Sequence, residues 1–154
     1  MRFIDEAQIT VKAGDGGRGC VSFRREKYVP KGGPDGGNAG AGGDIIFIAD
    51  VRLSSLLDFR YRRVYEAERG EHGMGSLCSG RDGEDLKIRV PVGTLIKDLD
   101  SGEALADLVT DGQTYLCCKA GRGGKGNAHF KTATHQTPRF AQPGEPGEEG
   151  GFLL

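Results

Sequence analysis

Hydrophobic residues alternate with polar ones over short stretches of this chain and nearly vanish between them. AQITVKA (7–13) places Ile9 and Val11 on one face, and CVSFRRE (20–26) does the same with Val21 and Phe23. A spacing of two predicts strands. DIIFIAD (44–50) is a continuous β-branched run and reads as a buried strand. The period shifts in LSSLLDFRYRRVYEAE (53–68): Leu53, Leu56 and Leu57 fit one helical turn, whereas Phe59, Tyr61 and Val64 fit extended chain. A short turn followed by extended chain is expected there. Strand patterns at 85–98, 103–108 and 113–119 complete the series, with turn signals at Val92-Gly93-Thr94, Asp100-Ser101-Gly102 and Asp111-Gly112. Only 103–110 competes as a helix, and it is short. The expected class is mainly β, built of short antiparallel strands with little α-helix.

Glycine occupies what lies between the strands. Of the 27 glycines in 154 residues, Gly93, Gly102 and Gly112 serve turns, and the other 24 fall into blocks at 14–19, 32–43, 70–83, 121–126 and 144–151. Spacings of three recur inside the blocks, at Gly14/Gly17, Gly33/Gly36, Gly37/Gly40/Gly43, Gly70/Gly73, Gly121/Gly124 and Gly144/Gly147/Gly150. Three is the period of a polyproline II helix, in which a missing side chain on one face lets two backbones meet. The registers are broken and interleaved, which excludes a collagen triple helix. Two readings remain open on spacing alone: packed polyproline II segments, or flexible loops in which dense glycine repeats by chance.

Length predicts one domain over 1–154, and a hydrophobic content of 36% leaves only a modest core. Glycine-rich segments span about 14–43, 70–83, 121–126 and 144–151, with the β part at about 1–13, 44–69 and 84–119. Cys20, Cys78, Cys117 and Cys118 suit a reduced, cytoplasmic setting, since two are adjacent and no apolar leader precedes the first charges. Cys117-Cys118 reads as one residue facing in and one facing out. No apolar run approaches the roughly 18–20 residues of a membrane span.

Several motif matches fail on context. Gly14-Asp15-Gly16-Gly17-Arg18-Gly19 satisfies a dinucleotide fingerprint, but the last glycine opens an alternating stretch rather than a helix. Gly121 to Gly126 fails in the same way. Gly124-Lys125 is followed by Gly126 rather than Ser or Thr, so these residues hold no P-loop. The histidines and cysteines show no metal-ligand spacing, and no nucleophile has a recognisable base. Neither a catalytic constellation nor a metal site is expected.

Charge is polarised although its sum is −1. Lys119 to Arg139 holds five basic residues and no acid, Arg18 to Lys31 holds five against Glu26 alone, and Asp98 to Asp111 holds five acids and no base. The basic stretches coincide with glycine-rich loops. Lys and Arg there suit phosphate, and Phe23, Tyr28 and Phe130 suit stacking on unpaired bases.

The motifs FIDEA (3–7), GDGGRGCVSFRREKYVPKGGPDGG (14–37), VPVGT (90–94), GRGGKGNAHF (121–130) and TPRFAQPGEPGEE (137–149) resemble, in order and over essentially the whole chain, the amino-terminal Obg domain of the Obg family of GTPases. The resemblance implies a glycine-rich fold with left-handed polyproline II helices packed beside a small β-barrel-like part, the structural glycines being Gly14, Gly17, Gly33, Gly36, Gly37, Gly40, Gly43, Gly121 and Gly124. It also implies an adjoining G domain carrying GTP and Mg2+, with no cofactor in these residues. A monomer acting in large ribosomal subunit assembly, with links to the stringent response, is expected. Ribosomal RNA would be met by Arg24, Arg25, Lys27, Lys31, Arg81, Lys131 and Arg139. The alternative role is a protein-docking module that regulates the G domain, using the acidic 98–111 hairpins. The sequence departs from the family pattern at 38–43, where Ala39 and Ala41 add methyl groups.

Overall fold

Alternating apolar residues build two facing sheets in a computed structural model that describes residues 6–23, 33–130 and 141–154. The strands are β1 (Gln8–Lys12), β2 (Ile45–Asp50), β3 (Val64–Glu66), β4 (Leu86–Pro91), β5 (Thr94–Asp98), β6 (Ala104–Leu108), β7 (Thr114–Cys118) and β8 (Glu149–Leu153). One sheet has the order β3-β1-β8-β5-β6 and the other β4-β2-β7, and among the described residues they do not close into a barrel. Ile9 and Val11 of β1, Ile45 and Phe47 of β2, Ile88 and Val90 of β4, Ile96, Leu108 and Phe152 form the buried core. Phe47 meets Phe152 edge-on across the two sheets, with centroids 6.3 Å apart. Each such aliphatic or aromatic burial contributes about 1.5–3 kcal/mol.

The sheets are mixed rather than antiparallel throughout, because β1 pairs with β3 and β2 with β4 in parallel. A parallel pair needs a long crossover, and here each crossover leaves along one glycine-rich segment and returns along another. The helical turn expected near Leu53–Leu57 falls one turn later, as α1 (Asp58–Tyr61), where Phe59 turns inward against Tyr65. Expected strand 20–26 is not one in its described part: Phe23 makes only an isolated bridge with Pro34. β8 was hidden by Gly150 and Gly151 inside a segment assigned to glycine-rich chain. Cys117 and Cys118 do not alternate in and out. The register slips so that Ile45 faces Cys118 and Ile46 faces Leu116, leaving Cys117 as the extra residue of a bulge. Both thiols are drawn inward, with their sulfurs 3.9 Å apart.

Six glycine-rich segments extend six of the strands beyond the sheets. Segments 13–20, 67–74 and 119–127 leave β1, β3 and β7; segments 36–43, 78–85 and 142–148 return into β2, β4 and β8. Strand pairing carries over, but the hydrogen bonds now recur every third residue. Gly14, Gly17 and Cys20 donate to the carbonyls of Gly43, Gly40 and Gly37 (2.8–3.0 Å). Ala13, Gly16 and Gly19 donate to Glu148, Glu145 and Gln142, while Asp15 and Arg18 accept from Gly70 and Gly73. Segment 13–20 thus has three faces, each committed to its own neighbours. Segment 36–43 repeats the scheme: Gly37, Gly40 and Gly43 donate to Met74, Glu71 and Glu68, Ala39 and Gly42 to Gly124 and Gly121, and Asn38 and Ala41 accept from Gly80 and Gly83.

Glycine is required here by close approach. A Cβ on Gly14 would fall on the carbonyl oxygen of Glu68, one on Gly40 on that of Arg81, one on Gly121 on that of Glu145, and one on Gly124 on that of Gln142. Ala39 and Ala41 sit between these positions with their methyls partly exposed, so the departures at 38–43 cost the packing nothing. Gly93 answers a different need, a turn at φ +92° that an L side chain disfavours.

Gly40→Ala is expected to cost about 3 kcal/mol or more in urea unfolding, the upper end of overpacking, because the obstacle is backbone. Gly150→Ala, whose nearest neighbour is the Phe152 ring at 3.4 Å, is expected to stay within about 1 kcal/mol. The buried Asp50 carboxylate accepts from the Arg52 side chain at 3.0 and 3.1 Å, from the Arg52 N–H, and from Arg89 at 3.3 Å. The Arg52 side-chain bonds, then its N–H, hold the Asp50 pKa down at about 2. A depressed folded-state pKa stabilises above the unfolded value and is lost as pH falls through the folded one. Asp50→Asn should therefore lower the urea midpoint at pH 7, and the two proteins should converge as pH falls from about 4 to about 2.

Candidate nucleic-acid interface

Because three glycine-rich segments run outward and three return, the described residues of their connections, 21–23 and 33–35, 75–77, and 128–130 and 141, lie at the end remote from the sheets. Asn127 ties two of them together. Its side chain is fully buried, its Oδ1 accepts from the N–H groups of Gly36 (2.8 Å) and Ser22 (3.3 Å), and its Nδ2 donates to the Ser22 carbonyl (2.9 Å). The Asn127 N–H adds a bond to the Cys20 carbonyl. One side chain on segment 119–127 thus fixes both arms of the 21–35 connection. Leu77 donates to the Asp35 carbonyl at 2.7 Å and joins the third connection to the same cluster.

The 75–78 turn is tight. Ser76 and Leu77 are successive left-handed residues, with φ of +59° and +58°, closed by a Cys78 N–H to Gly75 carbonyl bond. Two positive φ values at the central positions are those of a mirror-image hairpin turn, normally filled by Asn and Gly. A leucine there is strained by about 1 kcal/mol or more. Its side chain is 65% exposed, beside the half-exposed Val21 and Met74. Between this turn and the 3₁₀ turn Asn127–Phe130 lies a shallow pocket of about 230 Å³ lined by Gly36, Asn38, Leu77 and His129. His129 and Phe130 stack edge-on, with centroids 5.2 Å apart.

Of the expected RNA contacts, Arg81 is described. Its side chain is exposed on segment 78–85, and its carbonyl accepts from the Glu71 N–H at 2.9 Å. Arg24, Arg25, Lys27, Lys31, Lys131 and Arg139 lie outside the described residues, as does Tyr28. The described residues that flank them, Phe23 and Gly33 on one connection and Phe130 and Ala141 on another, belong to the remote end. The Phe23–Pro34 bridge closes the base of the first connection. The structural glycines Gly14, Gly17, Gly36, Gly37, Gly40, Gly43, Gly121 and Gly124 all stand in the bundle at positions where a Cβ would strike backbone. Gly33 stands half-buried beside the bridge.

Sequence reasoning missed Asn127 and Leu77. Asn127 sits in an acid-free basic stretch, and nothing local marks it as buried. Leu77 gives no turn signal of its own, although Gly75 and Ser76 do. Elsewhere the bundle holds exposed ion pairs, Arg122 with Glu145 at 2.7 Å and Lys12 with Asp15 at 3.1 Å. The Gly147 N–H, then Lys12, lowers the Asp15 pKa, and the Arg122 hydrogen bonds lower that of Glu145. Among the described residues no group of three or more His, Cys, Asp or Glu is placed to hold a metal, and no helix is long and apolar enough to cross a membrane.

Asn127→Ala is expected to remove the acceptor of the buried Gly36 N–H, at about 1–3 kcal/mol, and of the half-buried Ser22 N–H, at less. Hydrogen exchange should speed up at Ser22 and Gly36 while the amides of β1 and β2 keep their protection. Equal acceleration throughout would show that Asn127 does not act locally.

Residues 4–154 match the family model described as GTP1/OBG. The chain is 62% identical over 149 residues to the GTPase Obg of Chlorobaculum parvum, covering 97% of this chain and 44% of that protein. It is 60% identical to the GTPase Obg of Thermodesulfovibrio yellowstonii (100% of this chain, 46% of that protein), and 58% identical to that of Myxococcus xanthus (97% and 31%). The chain spans less than half the length of these relatives.

Proposed function

This chain belongs to the GTP1/OBG family, and from that membership we propose that it is the RNA-binding domain of a GTP-binding factor in large ribosomal subunit assembly. The observation that supports the reading is the meeting of the described flanks of three connections, around Asn127 and the Leu77–Asp35 bond, at one end of the bundle. Two of those connections contain the acid-poor basic stretches of the sequence. Lysine and arginine brought together there would contact phosphate and give salt-dependent affinity. Phe23 and Phe130 at the bases of the connections are suited to stacking on unpaired bases.

On this reading the glycine-rich segments are polyproline II helices. Their period-three hydrogen bonds support this, as does the confinement of positive φ, among the described residues, to Ser76, Leu77 and the three turn glycines. GTP and Mg2+ belong to an adjoining G domain, since Gly124-Lys125-Gly126 cannot serve as a P-loop. The setting is the cytoplasm, the domain is monomeric, and the whole protein responds to stringent-response signals.

A protein-docking role is favoured by a separate observation. Leu105 and Val109 are exposed in or next to the β5–β6 hairpin, which carries the acidic residues. Salt separates the two readings, because RNA binding falls steeply with salt and an apolar docking face does not.

The triple variant Lys27→Glu, Lys31→Glu, Arg139→Glu should lose at least ten-fold in affinity for isolated large subunits in a sedimentation assay at 150 mM salt, with an unchanged circular dichroism spectrum. Undiminished binding would sink the electrostatic reading.

A further inference from the structure

At the opposite end from Asn127 and the 75–77 turn, positive charge gathers around an exposed aromatic ring. Arg60, Tyr61, Arg62 and Arg63 are four successive exposed residues. Tyr61 is 82% exposed, the highest value among the large apolar side chains described. α1 ends at Tyr61 and β3 begins at Val64, so the chain changes conformation within the group. Phe59 beneath them packs on Tyr65, with centroids 5.8 Å apart, and anchors the turn.

Contacts position the guanidinium groups of Arg62 and Arg63 without neutralising them. Arg62 lies over the Tyr65 ring, 4.4 Å from its centroid. Arg63 Nε donates to the Arg60 carbonyl at 3.4 Å. Arg60 and Arg63 flank a cleft of about 270 Å³ floored by Ala7 and Phe59, with Glu6 and Gln8 on its rim. Among the described residues, none of the three forms an ion pair, whereas Arg52, Arg89 and Arg122 each sit on a carboxylate. Asp58 is the one acid in the same turn.

We propose that this surface is a second binding site, for single-stranded RNA, in which Tyr61 is a stacking platform and Arg60, Arg62 and Arg63 hold the flanking phosphates. A free aromatic face accepts any base, and planar guanidinium forks match phosphate oxygens. An acidic protein segment would use the arginines but would leave the most exposed ring among the described residues without a matching partner. β1 runs from beside this cleft into segment 13–20, so the site lies at the far end of the chain path from Asn127. It is independent of the reading above and gives the domain two separated RNA contacts.

The test is fluorescence anisotropy of the 154-residue chain with a labelled decauridylate, over a salt series. Each variant is made both alone and in the Lys27→Glu, Lys31→Glu, Arg139→Glu background, which removes the basic residues of the other end. In that background, Arg60→Glu with Arg63→Glu should cost at least ten-fold in affinity and flatten the salt slope by about 1.4, two phosphate contacts at about 0.7 each. Arg60→Lys with Arg63→Lys should keep the slope. Tyr61→Ala should cost about five-fold or more with no change of slope. Unchanged affinity in either the glutamate or the alanine variant overturns the proposal. So does competition by poly-glutamate as effective as that by unlabelled decauridylate, which would assign the surface to an acidic protein. Loss of binding in the charge-reversed background with no further effect of Tyr61→Ala would leave RNA binding at the other end intact while rejecting this second site.

Discussion

Backbone meeting backbone, with no side chain between, is the constraint on which the rest of this structure depends. Peptide groups left without partners inside a packed bundle would each cost as much as a lost hydrogen bond. The segments avoid this by donating and accepting on a three-residue repeat. Such a repeat gives each segment three faces, where a strand offers two edges, and segment 13–20 uses all three. Approach this close leaves no volume for a methyl group. The glycines therefore follow from the hydrogen-bond geometry, and the entropy lost in ordering them is offset by bonds worth roughly 0.5–1.5 kcal/mol each.

The functional geometry follows from the same repeat. The strand trios β3-β1-β8 and β4-β2-β7 diverge as two sheets around a side-chain core, and their extensions merge into one bundle. Outgoing and returning segments alternate in sequence, so every connection between an outgoing segment and the next falls at the remote end. The described flanks of three stretches far apart in the chain are thereby brought to one end by backbone hydrogen bonds. Asn127 and the Leu77–Asp35 bond then fasten the connections to one another.

Much of this was legible in residue order, and what was not has a common cause. Ile9 and Val11, the DIIFIAD run, and the hairpin turns at Gly93 and Gly102 announce their strands through local period. The spacing of Gly37, Gly40 and Gly43 fits close packing but fits flexible loops equally well, and the backbone contacts decide between them. Which backbone each glycine meets is non-local: Gly40 faces Arg81 and Gly123 faces Ala39, and no local pattern encodes those partners. The parallel pairing of β1 with β3 was hidden for the same reason. β8 was hidden because Gly150 and Gly151 lower its strand signal, and its order comes from β1 on one side and β5 on the other. The inward turn of both Cys117 and Cys118 depends on a register slip that alternation cannot show. At the candidate interface the basic residues were plain in the sequence, whereas Asn127, which holds their flanking chain in place, looks like any loop asparagine.

The two halves of the molecule consequently differ in what a substitution does to them. In the core, Phe47 or Ile88 can exchange for another apolar residue of similar volume, because side chains there repack. In the bundle, an inward glycine admits nothing larger, because its neighbour is a peptide carbonyl whose movement would break a bond on the next segment. An outward position between two glycines is nearly free: Ala39 and Ala41 carry methyls, Arg81 and Arg122 carry long cations, and His72 accepts from the Arg18 N–H without touching the bundle axis. The chemistry of the bundle surface can therefore vary while its frame cannot. That separation lets a frame held by backbone contacts present a surface whose side chains are free to change.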